Sequence, residues 1–72
     1  MNIIEGVKNH PDFEAKYQNN PDQFNRNLAF KKILKEVMLQ RRKDELEFYK
    51  LFANDNAFQT SLEQSVQRMV GV

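Results

Sequence analysis

The sequence predicts an all-α fold: a short helix, a long central helix, and a third helix folding back antiparallel as a helical hairpin. Three observations carry this. Only two glycines and two prolines interrupt 72 residues rich in Leu, Lys, Glu, Gln, Phe and Asn, a composition that favours helix. Apolar residues recur at three- and four-residue spacing through the centre and C-terminal part. Both prolines open a Pro-Asp pair, "NHPDF" and "NNPDQF", and proline followed by aspartate suits the first turn of a helix.

The elements follow in order. Ile3, Ile4 and Val7 form a frayed or partly docked lead-in. A first helix, about residues 11–18, starts at Pro11 and offers Phe13 and Tyr17 as its apolar edge. The second starts at Pro21, with Asn20 as N-cap and Gln23 three residues later, as in a capping box. Nothing from Pro21 to Ala53 breaks a helix, so residues 21–53 read as one rod of roughly 50 Å at a 1.5 Å rise. Phe30, Ile33, Leu34, Val37, Met38, Phe48, Tyr49, Leu51 and Phe52 share one broad side. Phe24, Leu28, Leu39 and Leu46 widen it, while Lys32, Glu36, Gln40, Lys43, Glu47 and Lys50 form the polar face. "NDN" at 54–56 is a turn and cap, after which residues 56–70 form the third helix, stopped at Gly71. Its return places Phe58 and Leu62 near Phe52 and Phe48, and its end near Arg41 and Arg42.

At this length the chain is one small helical domain, residues 1–72, burying only about 60% of its unfolded surface. It contains no cysteine, hence no disulfide and no thiolate metal site. No apolar run approaches the ~18 residues of a membrane span and no signal-peptide core is present, so a soluble, cytoplasmic protein is expected. Net charge is +1, unevenly spread. The segment 26–43 holds Arg26, Lys31, Lys32, Lys35, Arg41, Arg42 and Lys43 against Glu36 alone, and acidic flanks enclose it.

No set of residues predicts catalysis. "PDFEAK" resembles a nuclease signature in letters, yet Asp12 and Glu14 are one residue apart on a helix, where their side chains diverge. His10 is the single histidine and reads as an exposed residue beside a cap. No phosphate loop or nucleophile set occurs, and Asp44, Glu45 and Glu47 point to different sides of the rod. The charged band at 41–45 is predicted to pair internally, Arg41 with Glu45 and Lys43 with Glu47, or to dock a protein. Direct nucleic-acid contact is the weaker reading, because acidic residues interleave with the basic ones. Arg41 lies on the apolar side with Phe30 and Val37, so it must pair, extend to solvent or meet a partner. Three short helices cannot hide Phe24, Phe30, Phe48, Tyr49, Phe52 and Phe58 together, and aromatics left outside would anchor an interface.

Residues 19–58 also carry a family resemblance. The elements are Asn20-Pro21-Asp22, Asn25-Arg26, Leu28-Ala29-Phe30 with Ile33, Arg42-Lys43 before Glu45-Leu46-Glu47, Tyr49-Lys50-Leu51, and Asp55 before Ala57-Phe58. The pattern resembles the extreme C-terminal helical region of the R subunit of type I restriction-modification enzymes. Such a subunit is an ATP-dependent site-specific deoxyribonuclease and DNA translocase whose ATP and Mg are bound by other domains. Its C-terminal part is held to help attach it to the methyltransferase core. The resemblance thus implies a non-enzymatic fragment of a much larger protein, without cofactor, in which Met1 is not a native N-terminus. Its partners would be the methyltransferase and specificity subunits and the parent's other domains. DNA would be met through the complex, and no membrane is involved. Arg41, Arg42, Lys43, Phe30 and Val37 are the candidate contacts. Two alternatives stand: a module binding nucleic acid through residues 26–43, and a hairpin that self-associates through its apolar arc.

Overall fold

In the computed structural model, which describes residues 2–71, the chain is all-α. Met1, on which the implied non-native start bears, lies outside the described residues. The order is α1 (Ile3–Lys8), a π-helix (Phe13–Gln18), α2 (Gln23–Arg41), α3 (Leu46–Asn54) and α4 (Asn56–Val70). No strand occurs among the described residues, and none of their helices is long and apolar enough to cross a membrane.

The expected lead-in is a helix in its own right. Asn2 caps α1 by accepting the Glu5 N–H at 2.8 Å, and Val7 is completely buried. Gly6 sets how near this helix comes to α2, because a Cβ there would stand 2.9 Å from Val37 Cγ1. A six-residue helix cannot hold itself in water. It is helical because it docks.

Neither Pro-Asp pair acts as the sequence suggests. Pro11 and Asp12 form a turn, closed by the Phe13 N–H to the His10 carbonyl at 3.0 Å, and the helix begins at Phe13. It winds with wide turns, the Asn19 N–H reaching the Glu14 carbonyl at 2.8 Å. Phe13 and Tyr17 stack in series on Phe30, with centroid distances of 5.4 and 5.0 Å. At the second pair the cap is Asp22, not Asn20. Asp22 accepts the Phe24 N–H at 3.1 Å, while Asn20 accepts the Asp22 N–H at 3.0 Å. No capping box forms, since Gln23 turns its side chain to Asn27 and Arg26.

The largest correction concerns the rod. The helix expected over 21–53 is two helices, α2 and α3, separated at residues 42–45. No Gly or Pro marks the break. One straight helix would leave Phe48, Tyr49 and Phe52 in water alongside an uncovered face at Phe30–Met38. Bending back puts Phe52 against α2 and buries it to 3% exposure, and burying one such side chain is favourable by about 1.5–3 kcal/mol. Little is lost against that gain, because the Arg42, Asp44 and Glu45 N–H groups still reach backbone carbonyls at 3.3, 3.1 and 3.0 Å. The longest dimension is accordingly 35 Å, and the radius of gyration of 11.8 Å is near the ~11 Å of a closely packed chain this long.

The third predicted helix is α4, with the expected bounds. Asp55 is at once the last cap of α3 and the first of α4, its carboxylate accepting the Phe58 N–H at 3.1 Å. Phe58 meets Phe48 edge to face at 5.4 Å. Farther on, Val66 and Met69 line the same depression as Arg41. The core joins Val7, Phe13, five residues of α2, Phe52, Val66 and Val70.

Candidate interaction surface

The charged band is the joint between α2 and α3. Arg41 ends α2, and its Nε and Nη2 donate to Glu45 Oε2 at 3.0 and 2.7 Å. The backbone still holds one helical turn here, with the Glu45 N–H on the Arg41 carbonyl at 3.0 Å. At Glu45 the chain leaves helical geometry (φ −134°, ψ 60°). The predicted Arg41–Glu45 pair therefore forms. The predicted Lys43–Glu47 pair is absent from the ion pairs of the described residues, because the redirection at Glu45 lies between its partners. The Arg42 guanidinium sits 5.9 Å above the Tyr49 ring, a cation–π contact across the joint. Lys43 is exposed at its apex.

Two candidate contacts are overturned. Phe30 is 0% and Val37 3% exposed. Both are core, and neither can meet a partner in the folded chain.

His10 is likewise not an exposed residue beside a cap. Its side chain is 10% exposed and its Nε2 contacts Glu36 Oε2. Nδ1 accepts the Asp12 N–H at 3.1 Å, so Nε2 carries the hydrogen and donates to the carboxylate. This ties the turn at Pro11 to the middle of α2. Glu36, assigned from its angle to the polar face, is a tertiary partner. Nothing in the local sequence signals a pairing between residues 26 positions apart. Asp12 pairs with Lys16 at 3.6 Å, and among the described residues no three His, Cys, Asp or Glu side chains are placed to hold a metal ion.

The surface that sequence reasoning misplaced is the outer side of α2. Phe24, Leu28 and Leu39, expected to widen the core side, are 68, 52 and 53% exposed. Counted at about 100° per residue, they and Lys31, Lys32 and Lys35 fall within an arc of about 100°, separate from the arc of Phe30, Ile33, Leu34, Val37 and Met38 but bordering it at Met38. The spacing 24-28-31-35-39 was the available signal, since it is itself a helical ridge. Lys32, Lys35, Glu36 and Leu39 also form one bank of a shallow groove whose other bank is Tyr49, Phe52 and Ala53 of α3.

No family model, curated protein or solved structure matches this chain.

Proposed function

We propose that this chain is a non-catalytic helical assembly domain that attaches a larger protein to its partners through the outer side of α2 and the adjoining α2–α3 joint. The observation that carries the reading is the exposure of Phe24, Leu28 and Leu39 on one face. The core of α2 closes through Phe30, Ile33, Leu34, Val37 and Met38, and these three side chains are outside it. Exposed large apolar residues gathered on one face are the usual anchors of an interface.

The resemblance of residues 19–58 supplies the concrete form. The domain belongs to the R subunit of a type I restriction enzyme, a cytoplasmic complex, and joins its ATP-driven motor to the methyltransferase and specificity subunits. Arg42 and Lys43 at the joint, with Leu28 and Leu39 on the ridge, are the contacts; Arg41 is paired with Glu45 beside them. ATP, Mg and DNA cleavage remain with other domains of the parent.

The test is a pull-down with purified methyltransferase and specificity subunits of a type I restriction system from the same source as this chain. Retention that falls for Leu28→Ser and Lys43→Glu, both with unchanged circular dichroism, supports the reading. Retention no better than that of a bare support refutes it. A second reading, nucleic-acid binding, is favoured by Lys31, Lys32 and Lys35, which take part in no ion pair among the described residues. Capture of DNA by these lysines would weaken steeply with salt.

A further inference from the structure

We infer that the ridge Phe24–Leu28–Lys31–Lys32–Lys35–Leu39 is a seat for one amphipathic helix of a partner protein, apolar at both ends and acidic in its middle. This names the partner's chemistry and rests on the assembly reading above.

The order along the axis is what specifies the occupant. Two apolar residues come first, three lysines follow, and one apolar residue ends the ridge. From Phe24 to Leu39 the rise is about 22 Å at 1.5 Å per residue, or four turns of a facing helix. The steps 4-3-4-4 keep this ridge on one side, as in the seams along which helices pack. At the Leu39 end it runs into the groove against Tyr49 and Phe52, which gives the partner's last turn a second wall.

The lysines decide the sign. Each is exposed and joins no ion pair among the described residues. Glu36, the one carboxylate within α2, stands beside Lys32 at the edge of the ridge and lines the same groove, but its Oε2 is engaged by His10. A facing helix must therefore bring carboxylates opposite Lys31, Lys32 and Lys35 and apolar side chains opposite Phe24, Leu28 and Leu39. Complementary charge would fix its register more than its affinity. An anionic membrane fits less well, because the lysines occupy the middle of the ridge, where a surface-bound helix would bury apolar groups. A nucleic-acid backbone would use the lysines and leave Phe24 and Leu28 without a partner.

The experiment is a fluorescence-anisotropy titration of the full chain against three stapled helices of about 20 residues, spanning the ridge. All carry leucines at both ends; the central positions are Glu, Gln or Lys. The Glu-centred helix is expected to bind roughly tenfold more tightly than the Gln-centred one, and to lose that advantage as salt rises. Lys31→Glu with Lys35→Glu should turn the preference toward the Lys-centred helix, and Leu28→Ser should weaken all three. Circular dichroism of each variant controls for folding. Equal affinity for the three helices, or no binding of the Glu-centred one, overturns the inference. So does tighter binding of a 20-base-pair duplex or of phosphatidylserine vesicles that depends on these same lysines. Helix binding without capture of the methyltransferase would sink only the restriction-enzyme reading. Capture without the charge preference would sink only this seat.

Discussion

Two joints interrupt the helical run from Gln23 to Val70, and they are made by different forces. At Asp55 the chain turns within a single residue, and the turn is written locally: a carboxylate accepts the Phe58 N–H at 3.1 Å and caps α4. At residues 42–45 no capping side chain acts, since Glu45 precedes α3 without a side-chain cap bond. That joint exists because Phe52 must reach the core of α2. A cap is a contact between neighbours in sequence. A break imposed by burial is a contact between helices.

The two joints can be tested against each other. The largest effect is expected at Phe52, which is 3% exposed. Phe52→Ala should cost about 3–5 kcal/mol, read as a lower urea midpoint by far-UV circular dichroism. A small loss would mean that the first joint is set locally after all. Gly6→Val asks whether burial dictates geometry on the opposite side of α2 too. Its added side chain meets Val37, whose Cγ1 already lies 2.9 Å from a bare Cβ, so a loss of about 1–3 kcal/mol is expected from overpacking. Asp55→Ala removes the cap and should cost about 1 kcal/mol, with Asp55→Asn nearly neutral. Should Asp55→Ala exceed Phe52→Ala in the same denaturation series, the ranking of the two forces is inverted. Glu45→Gln is the smallest, about 0.2–0.5 kcal/mol, and should fade in high salt. Arg41 and Glu45 decorate the first joint; they do not make it.

These contrasts also explain what was legible beforehand. The bounds of α4 could be read from Asp55 and Gly71, and the Phe58–Phe48 meeting followed from the return of α4. The buried face of α2 was legible from its periodicity. The same periodicity misled at Phe24, Leu28 and Leu39, because apolar residues on nearly all sides of a helix do not say which side the neighbours will cover. Asn20 and Asp22 are both competent caps two residues apart, and choosing between them needs the position of the preceding π-helix. His10 paired with Glu36 was invisible, as was α1, whose helicity depends on Val7 finding the core. At the candidate site, Arg42 and Lys43 stand at the surface as expected, while Phe30 and Val37 do not.

By itself, then, the sequence determined that the chain is helical and where its last helix starts and stops. Those features arise from propensity, capping and residues within one turn of each other. Only the tertiary structure decided that the central run folds in two, that His10 ties down the N-terminal turn, and that the unpartnered face of α2 is the basic one. Each of these depends on which apolar surfaces find one another across tens of residues, and burial there is worth more than the local preferences it overrides.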